Sequence, residues 1–262
     1  MSEQPKPAFG PGSFVWFELC SKDHKAAQAF YSKVLGWKFE PWGPPGAYWM
    51  IKAGDKGVGG LMDCNTPEWG ELPSMWSYYI DVENINEAAA RVPAMGAKVM
   101  HPPTDIPEVG RFAPIQDPAG AFVNIMTLKQ HATEAPCAEP GHFLWVELMS
   151  RDFKRAKAFY SELIGWKTMD MPMPEMVYTL FQNQHGNAGG GMQMPPQVPA
   201  EVPSHWMGYI HVADIDKTLK AVETAGGKIL MPAMDVPNVG RMAAIMDPTG
   251  ATVSLMTPQM PA

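Results

Sequence analysis

Two glutamates stand where a strand would ordinarily place apolar side chains. Glu18 falls in Phe14-Val-Trp-Phe-Glu-Leu19 and Glu147 in Phe143-Leu-Trp-Val-Glu-Leu148. Both runs are rich in aromatic and other strand-forming residues and read as strands. A carboxylate held among aromatic rings loses water, which favours its protonated form and suits it to proton transfer. The same burial fits a structural carboxylate bonded to backbone or to a tryptophan N–H, and the residues alone leave both readings open.

The neighbours suggest what such a group would act on. Alternate side chains of a strand share a face, so Phe14 and Trp16 stand on the side of Glu18, and Trp145 on the side of Glu147. With Tyr79, Tyr209 and Phe122 the two tryptophans are candidates for an aromatic clamp on a flat ligand, and Asn124 for a polar contact. Plain core packing is the competing reading, and the clamp is assigned first to Trp16 and Trp145. His211 is a candidate base; the matching residue of the first copy is Asp81. Arg111 and Arg241 each follow Val-Gly and could grip a carboxylate or phosphate through paired N–H donors. A bridge to Asp105 or Asp235 is the favoured alternative.

These residues recur because the chain is duplicated. Phe30-Tyr31-Ser32 returns as Phe159-Tyr160-Ser161, and Gly36-Trp37-Lys38 as Gly165-Trp166-Lys167. Asp105-Ile-Pro-Glu-Val-Gly-Arg111 returns as Asp235-Val-Pro-Asn-Val-Gly-Arg241, and Asp117-Pro-Ala-Gly120 as Asp247-Pro-Thr-Gly250. The expected division is a domain over 11–129, a linker over 130–140 and a second domain over 141–258. Within the first copy, a strand over 14–19 leads to a helix capped by Asp23, whose carboxylate can accept from free N–H groups. Ala26, Ala27, Phe30, Tyr31, Val34 and Leu35 form its apolar face, and Gly36 ends it. Short strands follow at 38–40, 48–52 and 58–62. A second strand over 77–82, a helix from Ile85 to Met95 and strands near 98–100, 112–116 and 121–126 repeat the plan. Each half therefore reads βαβββ–βαβββ, and the fold class is α+β with four βαβββ modules.

Composition narrows the function classes. The 262 residues are 46% hydrophobic, and the net charge is −7. An acidic chain lacks the basic footprint that nucleic acid requires and is repelled by anionic membranes. Cys20, Cys64 and Cys137 form neither a disulfide framework nor a CxxC pair, which implies a reducing compartment. No signal-type segment is visible, so a cytoplasmic location is expected. The 27 prolines cluster in stiff loops, and the 21 methionines are expected mainly as core filler. Gly59-Gly60 and Gly189-Gly190-Gly191 lack the phosphate-loop pattern and suggest bulges or close approach.

The order of these motifs resembles the vicinal-oxygen-chelate superfamily, which holds glyoxalases, bleomycin-resistance proteins and extradiol dioxygenases. A strand, an Asp-capped helix with Phe-Tyr and a following Gly-Trp resemble the opening of one of its domains, and Asp-Pro-x-Gly its close. The resemblance covers both halves and implies two tandem domains with concave mixed β-sheets around a cleft. Metal-dependent members use His, Gln or Glu on the first strands of modules and a Glu four residues after the Asp-Pro-x-Gly glycine. Those positions hold Trp16, Ser77 and Asn124, then Trp145, Met207 and Ser254, none a good ligand for a transition metal. A shift of two residues would bring Glu18 or Glu147 near His211 without a third donor.

The expectation is a metal-independent protein with no cofactor that binds a small aromatic or hydrophobic molecule in an inter-module cleft. The alternative is a glyoxalase-like lyase or isomerase in which Glu18, Glu147 or His211 acts as base. The small molecule is the expected partner, with no nucleic acid or membrane, and the chain is a monomer or homodimer. Which modules share a cleft stays open: Glu18 could face Tyr79 or His211.

Overall fold

The computed structural model describes residues 10–66, 72–131, 137–173 and 176–259. The first module comprises β1 (Phe14–Ser21), α1 (His24–Leu35), β2 (Lys38–Pro41), β3 (Tyr48–Ala53) and β4 (Lys56–Asp63). The second comprises β5 (Met75–Asp81), α2 (Ile85–Arg91), β6 (Lys98–Val99), β7 (Thr104–Ile106), β8 (Gly110–Gln116) and β9 (Phe122–Leu128). The third comprises β10 (Phe143–Ser150), α3 (Phe153–Ile164), β11 (Lys167–Pro172), β12 (Val177–Asn183) and β13 (Gly186–Gln193). The fourth comprises β14 (His205–His211), α4 (Ile215–Thr224), β15 (Lys228–Val236), β16 (Gly240–Met246) and β17 (Thr252–Pro258).

Local signals account for the element ends. The Asp23 carboxylate accepts from Ala26 N at 2.9 Å, and Gly36 closes α1 in the left-handed region with φ 71°. Asp152 caps α3 through Arg155 N at 3.1 Å. The helix expected from Ile85 to Met95 is shorter: α2 ends at Arg91 and Val92–Met95 form a 3-10 turn. Pro93 lacks the N–H that an α-helix would need there. The short strand β7 escaped the sequence reading.

In every module the first and last strands run parallel, as in β1 with β4 and β5 with β9, and the remaining pairs are antiparallel. Within the modules the strand orders are β2-β3-β4-β1, β5-β9-β8-β6 with β7 also paired to β8, β11-β12-β13-β10 and β14-β17-β16-β15. Alternation then sorts the side chains. Leu19, Ile51 and Leu61 are fully buried on the helix side of the first module. Glu18, Tyr48, Met50 and Met62 project from the opposite, helix-free face, because Glu18 and Met50 both pair with Gly60, and Tyr48 with Met62.

The chain forms two compact units, and each combines one module from each sequence half. The first is Met1–Val15, Tyr78–Pro136 and Val146–Trp206; the second is Trp16–Ser77, Cys137–Trp145 and Met207–Ala262. The module of Glu18 thus shares a unit with that of His211, and the module of Tyr79 with that of Glu147. The expected linker over 130–140 lies partly outside the described residues.

Aromatic cores hold each unit. In the second, Tyr31, Trp37, Trp76 and Phe143 interlock, and Phe17 stacks on Phe143 at 4.2 Å. Trp76 Nε1 donates to Tyr31 Oη at 3.0 Å, and Trp37 Nε1 to Gly141 O at 2.9 Å. The first unit repeats this with Tyr160, Trp166, Phe181 and Trp206. Phe14 joins that core, 5.2 Å from Trp206 and 5.9 Å from Trp166. It therefore does not accompany Trp16 as alternation implied, because β1 passes from one unit to the other between Val15 and Trp16.

The repeated motifs meet inside the units. Tyr160 of α3 faces Asp117 of the first Asp-Pro-x-Gly, and Tyr31 of α1 faces Asp247 of the second. Asp117 Oδ1 also accepts from Ala119 N at 2.7 Å and Ala121 N at 3.0 Å, fixing the turn before β9. Burial pushes both carboxyls up from the usual aspartate range; the amides and tyrosines pull the other way and lose.

Candidate functional site

The second unit builds a hydrogen-bonded chain on the helix-free face of its first module. Trp16 Nε1 donates to Tyr48 Oη at 3.0 Å, and Tyr48 Oη donates to Glu18 Oε2 at 2.9 Å. The tyrosine reaches across β4 because Gly60 lies beneath its hydroxyl, where a Cβ would overlap it. Burial first, and then the Glu18 charge, push the Tyr48 phenol far above its usual range. The phenol therefore remains a donor, and the arrangement presents a buried carboxylate beside an indole and a phenol.

The fourth module supplies a second helix-free face in this unit. Met207, Tyr209 and Met256 are buried together, with Trp145 and Met242 packed on them. Tyr209 pairs with Ser254 and His211 with Met256. His211 Nδ1 lies 2.6 Å from Ala138 O. The two tryptophans expected in separate halves, Trp16 and Trp145, thus belong to one unit, whereas Glu147 belongs to the other.

In the first unit, Glu147 pairs with Gly190, and the hydroxyl of Tyr178 occupies the space above that glycine. The Tyr48–Gly60 device is therefore duplicated. Opposite strands of the unit carry Tyr79, which pairs with Asn124 and packs 5.8 Å from Phe112. Phe122 shares the face of Asn124 but is 45% exposed at the strand start.

Arg111 and Arg241 do not join these faces. Arg111 Nη1 donates to Asp105 Oδ1 at 2.9 Å, and Arg241 donates to Asp235 and Asp216 at 3.0 and 3.1 Å. Each is one residue out of phase with Phe112 or Met242 and so projects to the helix side.

Methionine placement overturns its reading as core filler. Of the described methionines only Met126, Met194, Met207 and Met256 are buried. Met50, Met62, Met169, Met171, Met192 and Met242 sit part-buried or exposed on helix-free faces, in register with Gly60, Tyr48, Leu180, Tyr178 and Met256. The tyrosines Tyr48 and Tyr178 were missed from sequence. Their recurrence at matching places, each with its hydroxyl over a glycine of the neighbouring strand, was the available signal.

The family description "Glyoxalase/Bleomycin resistance protein/Dioxygenase superfamily" matches residues 13–125 and again 142–255. The chain belongs to this superfamily. Two of its relatives match over nearly full length. A protein of Mycobacterium tuberculosis (strain CDC 1551 / Oshkosh) named "Putative glyoxylase CFP32" is 32% identical over 253 residues, covering 94% of this chain and 95% of the relative. "Anthracycline biosynthesis protein DnrV" of Streptomyces peucetius is 27% identical over 261 residues, covering 95% and 94%. The Mn(II)-bound glyoxalase from Novosphingobium aromaticivorans superposes with a TM-score of 0.63 at 16% identity, covering 95% of this chain and 83% of that one. At that identity the likeness is one of fold.

The superfamily's divalent-ion site is not matched by the donors here. An indole, a hydroxyl and an amide stand at Trp16, Ser77 and Asn124; an indole, a thioether and a hydroxyl stand at Trp145, Met207 and Ser254. Among the described residues no three His, Cys, Asp or Glu side chains converge in metal-binding geometry. A site of the family type needs several such N or O donors. Among the described residues no helix is long and apolar enough to cross a membrane.

Proposed function

We propose that this superfamily member binds a flat aromatic or hydrophobic small molecule on its helix-free faces, without a divalent metal. The observation that carries this reading is the accumulation of methionine and aromatic side chains on those faces, around a buried glutamate held by a tyrosine. Thioethers are polarizable and conform to varied apolar shapes. Rings add flat contact, and one fixed polar group orients the ligand. A relative named for anthracycline biosynthesis supports a polycyclic aromatic ligand.

Tryptophan quenching by a planar anthraquinone tests the proposal. Saturable quenching that survives dialysis against a chelator and weakens in Trp16→Ala or Trp145→Ala is expected. Quenching that needs added Mn, Zn or Fe, or that neither substitution changes, overturns it.

A lyase or isomerase activity is the second reading, favoured by the Tyr48–Glu18 pair. A carboxylate and a phenol at hydrogen-bond distance form a base and a donor for a substrate carbonyl. Glu18→Gln then abolishes turnover while the fold survives.

A further inference from the structure

Two equivalent strand ends carry different chemistry. Asp81 ends β5 and His211 ends β14 at matching places of the repeat. Asp81 is 1% exposed, and its Oδ2 lies 2.6 Å from Nε2 of His131, a residue just after β9. Its other oxygen, Oδ1, is buried without a hydrogen bond of good geometry among the described residues. A buried carboxylate is costly unless it is paired, so the imidazole is needed where it stands. His131 keeps 28% exposure and takes no second hydrogen-bond partner among the described residues.

Each unit therefore places an imidazole at this strand end by a different route. In the second unit it is His211, tied through Nδ1 to the Ala138 carbonyl. In the first it is His131, tied through Nε2 to a carboxylate. A carboxylate tether stabilises imidazolium more than a carbonyl does, because it adds charge to the hydrogen bond. It also fixes the tautomer that exposes the other nitrogen as acceptor. Asp81 shares its strand face with Tyr79, and its partner Met126 shares that of Asn124. The dyad thus closes the row on which a flat ligand of the first unit would lie.

We propose that His131 and Asp81 form a proton-accepting dyad that ionises an acidic hydroxyl of a hydroxyaromatic ligand bound in the first unit. The ligand O–H bond breaks, its electron pair stays on oxygen, and the proton forms an N–H bond at His131 Nδ1. His131 touches the ligand; Asp81 is a positioning residue that retains the Nε2–H. The inference rests on the ligand reading above and adds a chemical class for the face of the first unit.

The test uses 4-nitrophenol, whose ionised form absorbs visible light and whose neutral form does not, at a pH below its own ionisation. The full-length protein is expected to raise the visible band. His131→Gln, which keeps an amide donor for Asp81 and so the tie, loses that rise. Asp81→Asn diminishes it, and His185→Gln, in an exposed turn, leaves it intact. A wild-type protein without the rise, or a His131→Gln protein with all of it, overturns the dyad. Quenching by non-ionisable 4-nitroanisole separates the two claims. Quenching without a visible band from 4-nitrophenol discards the dyad alone, and absence of both discards the ligand reading too.

Discussion

Tyr48 donates to Glu18 at 2.9 Å directly above Gly60, while accepting from Trp16. The glycine is therefore part of the carboxylate's environment. Gly60→Ala is expected to expel the Tyr48 side chain, because the new methyl occupies the hydroxyl's place. Overpacking of this kind costs about 1–3 kcal/mol. Urea unfolding should show that loss, and anthraquinone quenching should weaken with it. A variant as stable as wild type with unchanged quenching would show that the Tyr48 contact does not matter.

Tyr48→Phe separates the hydroxyl from the ring. It deletes a donor to Glu18 and an acceptor for Trp16 while keeping the apolar surface. Deleting a hydrogen bond to a charged group costs about 1.5–3 kcal/mol. The expected result is a lower denaturation midpoint and a shifted Trp16 fluorescence maximum, read against Trp16→Phe.

Asp117 and Asp247 should make stability depend on pH. Both folded carboxyls lie above the usual aspartate value of 3.8, chiefly through burial. The native state thus holds protons that the unfolded state has released, and stability falls as pH rises through the window from 3.8 to the raised values. Asn accepts the same backbone hydrogen bonds without a charge to bury. Asp117→Asn and Asp247→Asn should therefore gain on wild type between pH 4 and pH 8 in chemical denaturation. A constant difference across that range would refute the assignment.

The three thiols should differ in reactivity. Cys20 and Cys64 are buried, and burial, Cys64 and the Glu18 and Asp63 charges push the Cys20 thiol up. Cys137 is partly exposed beside Lys56 Nζ at 3.4 Å. Thiolates are the reactive form. A thiol-disulfide reagent should label Cys137 in the native protein and the other two only after unfolding.

Much of this architecture could be read in the chain because its signals are local. Asp23, Gly36 and the Phe30–Tyr31 face act within one helix, and strand alternation alone placed Glu18 and Tyr79. The errors share a physical origin. Phe14 depends on which unit its strand enters, which no local pattern encodes. Methionine has no positional preference strong enough to separate a core from a binding face. Tyr48 acts through a glycine twelve residues later, and His131 through a carboxylate fifty residues earlier; only the fold brings those pairs together.

The exchange of modules between halves has a consequence for divergence. Had each half formed its own unit, a change in one copy would alter one complete site and leave its twin untouched. Here every unit draws on both copies, so a second and a third module evolve as partners while the first and the fourth do likewise. Asp81 and His211 could part company because they answer to different partners. Each copy is thus under selection through modules that the other copy completes.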